Sequence, residues 1–186
     1  MKKMWLSVFV AMLLVTSARV AEARGGGTSS GVLFDVNLYY GSSATNLKTT
    51  GSETKSENKT VLYDIKLGSL SGSGFYWGGL YSSRTTSVLN ANGENGSAMG
   101  ASIGYFGAAG FFIMGHYLVS ATYGEYKEGS GIQADLGYKF DIGSGWLLGG
   151  ELSYRNITYK KNDTVANLES YNVADVLPML SVGYVF

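Results

Sequence analysis

From residue 32 onward, apolar and polar positions alternate along the chain with period two. That is the mark of strands, whose successive side chains point to opposite faces. The pattern predicts eight strands: residues 32–40, 61–68, 75–82, 98–105, 111–120, 132–140, 146–155 and 175–186. One face reads Val32, Phe34, Val36, Leu38, Tyr40 in the first strand and Trp146, Leu148, Gly150, Leu152, Tyr154 in the seventh. It is almost free of charge. The other face is small and polar and carries Asp35, Asp64, Lys66, Asp135, Lys139, Glu151, Arg155 and Asp175. The third strand has the least defined facing, because Tyr76, Gly78 and Leu80 stand opposite Phe75, Trp77, Gly79 and Tyr81.

Alternation alone does not separate a soluble sandwich from a membrane barrel; the connections do. Residues 41–60, 83–97 and 156–172 form long polar links and 123–130 a medium one, whereas 68–74, 107–110 and 141–145 are short. Outer-membrane barrels have long loops at one end and tight turns at the other. The expected fold is therefore all-β: an eight-stranded antiparallel up-and-down transmembrane β-barrel over residues 32–186, with both chain ends on the short-turn side. Two aromatic belts follow from the same register. One, near the short turns, holds Phe75, Trp77, Tyr105, Phe111, Tyr138, Trp146 and Tyr184. The other, near the loops, holds Tyr40, Tyr63, Tyr81, Tyr117 and Tyr154. Gly104, Gly137 and Gly183, each beside a belt tyrosine, are expected to face inward where the wall is crowded.

Residues 1–23 read as a secretory signal peptide. Lys2 and Lys3 precede an apolar stretch too short to span a bilayer, and Ala21-Glu22-Ala23 fits a cleavage site. Residues 24–31 (RGGGTSSG) read as a flexible leader. Composition agrees with export: 27 Gly, 14 Tyr, no Cys and only 15% charged residues in 186. Lys+Arg and Asp+Glu balance at 14 each. Cleavage would remove three bases and one acid, leaving a slightly acidic chain with no basic stripe for nucleic acid. The absence of Cys excludes thiolate metal sites, a Cys nucleophile and disulfides, and one His excludes a multi-His metal site.

The last strand is the most specific segment. Leu180, Val182, Tyr184 and Phe186 are apolar at every second position and the chain closes on Phe. This resembles the C-terminal signature of bacterial outer-membrane β-barrels, and SVGYVF is similar to the closing strand of the small OmpX/Ail-type and OmpA-type barrels. The resemblance implies recognition by the barrel-assembly machinery, a setting of outer-membrane lipid and lipopolysaccharide, and an interior charge network of the OmpA kind. Pro178, which cannot donate to a ladder, is expected at a bulge or in the less regular upper part of this strand.

An eight-stranded barrel is just wide enough to be filled by side chains. Asp35, Asp64, Lys66, Asp135, Lys139, Glu151 and Arg155 are therefore expected to pair inside it, since unpaired buried charge is costly. His116 is the lone candidate general base. Lipid A deacylase barrels place a Ser two residues after the His; here that residue is Leu118, and Ser120 is too far along the strand for a proton relay. Ser102, on the neighbouring strand, is nearer. The four N-x-Ser/Thr matches, at Asn58, Asn95, Asn156 and Asn162, read as chance matches in polar loops. The expectation is a monomeric surface protein of a Gram-negative envelope, with no enzymatic activity, cofactor, metal or nucleic-acid partner. It would act through its external loops on a host or surface ligand or in envelope integrity. The alternatives are a small channel for small or apolar solutes, a lipid A-modifying enzyme, and a soluble lipocalin-like barrel.

Overall fold

The computed structural model describes residues 30–49, 52–88, 91–165 and 168–186. The signal-peptide reading of residues 1–23 and nearly all of the leader lie outside them. The strands are β1 (Gly31–Thr49), β2 (Ser52–Leu70), β3 (Phe75–Val88), β4 (Ala91–Phe106), β5 (Phe111–Tyr123), β6 (Tyr126–Gly143), β7 (Trp146–Tyr159), β8 (Lys161–Asn162) and β9 (Tyr171–Val185). The two-residue β8 is an outgrowth pairing with the start of β6. The other eight run antiparallel to their sequence neighbours, and β1 pairs with β9. The sheet thereby closes into a barrel and leaves no free edge strand.

All eight predicted strands are present and, Ser120 apart, have the predicted facing, the third included. Phe75, Trp77 and Tyr81 point outward, while Tyr76, Leu80 and Ser82 are buried. Both aromatic belts lie on the outer surface, with Tyr138 and Tyr184 only partly exposed against Phe140 and Trp146. The long connections are the main departure from expectation. Most of residues 41–60 is ladder, continuing from Gly41–Thr60 to Thr49–Ser52. Likewise Ser83–Ser97 to Val88–Ala91 is ladder with one irregularity, and the link at 123–130 shrinks to a turn at Gly124 and Glu125. These segments have weak apolar alternation because, beyond the belts, neither face has to be apolar. The hairpins therefore stand as tall sheet extensions at one end of the barrel.

The short turns are built alike. The carbonyls of Gly74, Gly110 and Gly145 accept N–H bonds from Phe106, Lys139 and Val185 on the next strand along the rim. Gly74 and Gly110 sit at φ 90° and 92°, a region closed to side chains, and a Cβ on Gly110 would stand 2.3 Å from the Lys139 carbonyl.

One irregularity corrects the reading of a single residue, and a regular ladder decides between the two readings of another. Met99 pairs with Ser120 but Gly100 with Leu118, so Val119 is an extra residue in β5. The bulge turns Ser120 outward, against its predicted inward phase. Pro178 makes no bulge in the β7·β9 ladder. It lies just beyond the last β1·β9 pair, Leu38–Leu180. Phe186 donates its N–H to Val32 of β1, so even-numbered positions of β9 donate toward β1. The N–H that proline lacks would thus have pointed where the β1 ladder has already ended.

Candidate functional site

The interior is layered. Near the short turns, Leu33, Leu70, Tyr76, Phe106, Phe112, Met114, Leu147 and Val185 form an apolar plug. Phe106 and Phe112 stack at 5.1 Å. The inward Gly137 makes room here, since a Cβ on it would meet the Phe112 ring at 2.6 Å. Toward the loop end, two further apolar clusters fill the bore. One is centred on Leu80, Leu118, Ile157 and Tyr159, the other on Leu62, Leu177 and Met179. The charged layer lies between these plugs.

All seven residues assigned to the interior network are there, and each is buried. They form two groups. In the first, Lys139 binds the Asp35 carboxylate and donates to Ser181 Oγ at 2.7 Å; Ser181 in turn donates to Asp35 at 2.9 Å. Asn37 donates to the other Asp35 oxygen at 3.2 Å. In the second, Lys66 Nζ, with no solvent exposure, lies 2.5 Å from Asp135 and 2.8 and 2.9 Å from the two Glu151 oxygens. Arg155 grips both Asp64 oxygens at 2.9 Å and donates to Gln133 Oε1 and Ser82 Oγ. Gln133 ties the group together, donating to Asp64 at 2.8 Å and Asp135 at 3.0 Å. Every barrel strand supplies at least one of these groups or their neighbours. Removing one partner would leave a bare charge in a medium that cannot hydrate it.

Sequence reasoning left out Asn37, Ser82, Gln133 and Ser181. Each shares the inward phase with the charges, and that phase was the available signal. His116 belongs to the same layer. Its Nδ1 is 2.7 Å from Ser102 Oγ and its Nε2 is 2.8 Å from Asp135 Oδ2. The ladder that pairs Ser102 with His116, and His116 with Gln133, sets this geometry. Ser102, His116 and Asp135 are thus a hydrogen-bonded Ser-His-Asp chain. The arrangement is enclosed, however: the His116 and Asp135 side chains have no solvent exposure, and Ser102 has almost none. A serine nucleophile needs a substrate carbonyl within reach, and this one faces packed side chains.

At the loop end, a small pocket is lined by Arg84, Arg155, Tyr123, Tyr159 and Asp175 among others. Arg84, which the sequence reading placed in a loop, projects from β3. It pairs with Asp175 of β9 at 2.7 Å across the mouth and lies over the Tyr123 ring. Above it Tyr126 and Tyr171 stack at 4.1 Å against Tyr159. Lys127 binds Asp163 beside them, and the hydrogen bond to that carboxylate, with its charge, raises the ammonium's proton affinity above its ordinary value.

Of the C-terminal signature, Leu180, Val182 and Phe186 point outward and Tyr184 is partly covered by Trp146 and Phe186, at 5.0 and 4.7 Å. Phe34, Val36, Trp146, Val182, Tyr184 and Phe186 line a shallow apolar hollow there. Among the described residues no group of acidic or histidine side chains has the arrangement of a metal site.

No known protein family matches the sequence, and no curated protein matches it. Among the solved structures similar in fold are two outer membrane proteins. The outer membrane protein AlkL, determined in lipid bilayers, has 10% identity and a TM-score of 0.43 over 88% of this chain and 94% of that one. The outer membrane protein OprG from Pseudomonas aeruginosa has 10% identity and a TM-score of 0.46 over 87% of this chain and 98% of that one. At such identity the likeness is one of fold alone, and the fold stands on this chain's own ladder. It is a closed, eight-stranded, all-antiparallel barrel.

Proposed function

We propose that this protein is an integral barrel of a bacterial outer membrane whose interior is a sealed plug and whose activity lies at its loop end. One observation carries the reading: the polarity of the molecule is inverted. Val32, Leu38, Ile103, Ile113, Leu152 and Leu180 face outward, while three bases and four acids are buried within. In water, that arrangement would expose the apolar face and desolvate the charges. In a bilayer, both faces are satisfied.

The apolar plugs above and below the charged layer support a barrel that does not conduct. The enclosure of Ser102 and His116 supports a protein that is not an enzyme. A lipid A-modifying activity would need those groups on the lipid side. A lipocalin-like role would need an apolar cavity where the ion pairs stand. The tall hairpins, the tyrosine cluster and the Arg84–Asp175 pair supply the surface for a host or envelope ligand. The Leu180, Val182, Tyr184, Phe186 face suits the barrel-assembly machinery. We expect export through a cleavable signal peptide and a monomer surrounded by outer-membrane lipid and lipopolysaccharide.

Cell fractionation with a heat-modifiability gel tests the reading. The protein should partition with outer membranes and migrate faster unheated than boiled. Recovery in the soluble periplasm would refute it. Planar-bilayer recording should be silent for folded protein, and shortening the hairpins should abolish surface binding without unfolding the barrel.

A further inference from the structure

We infer that the hollow at the short-turn end of the β1·β9 seam seats one phospholipid, with an acyl chain in the recess and an ammonium headgroup at the rim. The inference rests on the membrane reading proposed above. Phe34, Val36, Trp146, Val182, Tyr184 and Phe186 line the hollow, whose volume is about 500 Å³. Clefts that hold small ligands span about 300–1,000 Å³. Val36 and Val182 pair directly across the seam and form the floor. Val36 is less exposed than Val32, Phe34, Leu38 and Tyr40, the other outward residues of its strand, so the wall is recessed there.

Rings hold the recess open. Tyr184 pairs with Phe34 of β1 on one side and Trp146 of β7 on the other. It meets Trp146 edge-on at 5.0 Å and Phe186 edge-on at 4.7 Å, so the rings brace one another. Trp146 and Tyr184 belong to the short-turn belt, at headgroup level, while Val182 lies two residues further into the apolar band. The hollow therefore runs from interface to hydrocarbon, which fits a polar head on a long apolar chain. A second barrel would present a convex wall that cannot follow the recess; a flexible chain can. The rim selects the head. Short turns of such barrels face the periplasm, where the leaflet is phospholipid. The turns at 71–74, 107–110 and 141–145 carry no Lys or Arg and one acid, Asp141, whose ladder partner Leu147 adjoins Trp146. Lys139, on the strand leading to the last of these turns, is bound inside to Asp35. The rim thus offers no base to an anionic head and a carboxylate to an ammonium. That favours phosphatidylethanolamine over phosphatidylglycerol.

A lipid here also acts on the closure of the sheet. The β1·β9 ladder has six pairs, whereas each other ladder between adjacent barrel strands has ten or more. Phe34, Val36, Val182 and Tyr184 share the phase of Val32 and Phe186, whose backbones bond across this seam. A chain lying over both strands covers those bonds and holds the shortest ladder shut.

The test adds phosphatidylethanolamine with a nitroxide on its acyl chain to the folded full chain in micelles and reads the broadening of methyl NMR signals. Val36 and Val182 should broaden at lipid levels that leave Ile113 sharp. Ile113 is the control because it is also outward and also two residues from a belt aromatic, Phe111, on the opposite wall. Unlabelled phosphatidylethanolamine should restore the signals at lower concentration than phosphatidylglycerol with the same chains. Bound lipid should slow amide exchange at Phe34 and Tyr184. Val36→Trp, which fills the recess, should abolish the broadening at Val182 while the heat-modifiability gel still shows a folded barrel. Equal broadening at Ile113 and Val182 in the wild-type protein would overturn the inference, as would stronger displacement by phosphatidylglycerol or a dimer whose contact maps to Val182. Fractionation separates the two proposals. Equal broadening in a protein that partitions with outer membranes refutes only the lipid seat, while recovery in the soluble periplasm refutes the membrane reading itself.

Discussion

Ile113→Arg separates a membrane barrel from a soluble one by the size of its effect. Ile113 is 56% exposed, between Tyr105 of β4 and Leu136 of β6, which are also outward. In water, replacing so exposed a side chain away from any special feature changes stability by no more than about 0.5 kcal/mol. In a bilayer, the guanidinium enters the hydrocarbon. Ile113 is two residues above Phe111 and four below Tyr117, both in the aromatic belts. At about 3.3 Å per residue along a strand tilted about 40°, the site lies roughly 5 Å inside one belt and roughly 10 Å inside the other. A midplane Arg costs about 2–4 kcal/mol, and here the head group can reach back toward the nearer belt. About 2 kcal/mol is therefore expected. Urea unfolding in lipid vesicles, followed by the gel shift between folded and unfolded forms, measures it. Thr85→Arg, outward but above the belt residue Tyr81, is the control and should stay within about 0.5 kcal/mol. Equal, small effects at the two positions would refute the lipid-facing assignment of the belt.

Lys66→Met strips two buried carboxylates of their shared partner and should cost about 3–5 kcal/mol in the same unfolding assay, with a stable Lys66→Met protein counting against the network. Phe112→Ala removes a fully buried ring from the short-turn plug and should cost about 3–5 kcal/mol, and it should admit ion flow in planar bilayers if that plug is the lower seal. Gly110→Val forces a β-branched residue to φ 92° against the Lys139 carbonyl; a loss of about 1–3 kcal/mol or more should appear as a lower unfolding midpoint. Arg84→Ala opens a partly exposed pair and should change stability by less than about 1 kcal/mol, so any large loss of surface binding in this variant reports on recognition rather than folding.

How much of this was legible in the sequence depends on where each residue's partner lies. The facing of the eight strands, Ser120 apart, was readable because an apolar outer face and a polar bore impose opposite demands on alternate residues. A one-residue slip would have placed Asp64 and Lys66 on the apolar outer face. Strand ends were not readable, because above the belts the ladder is held by backbone bonds that Ser, Thr and Asn tolerate as well as Val or Ile. Gly41–Thr60 therefore looked like a loop and is mostly sheet. The bulge at Val119 was equally hidden, since one extra residue leaves no trace in composition. It nevertheless decides which way Ser120 points.

The network was legible as a set and not as a wiring diagram. Alternation brought Asp35, Lys66, Asp135 and Arg155 to the same inner face, but which acid meets which base depends on stagger around the closed barrel. Lys66 reaches Asp135 and Glu151, and Arg155 reaches Asp64, from opposite walls. His116 shows the consequence. Searched along its own strand for a serine, it offered Leu118 and a misdirected Ser120. Its actual neighbours, Ser102 and Asp135, are set by the registers with β4 and β6. Once those registers are known, Ser102, His116 and Asp135 stand together inside the charged layer, although they come from three different strands. The ladder between strands, and not the spacing along any one of them, makes them neighbours.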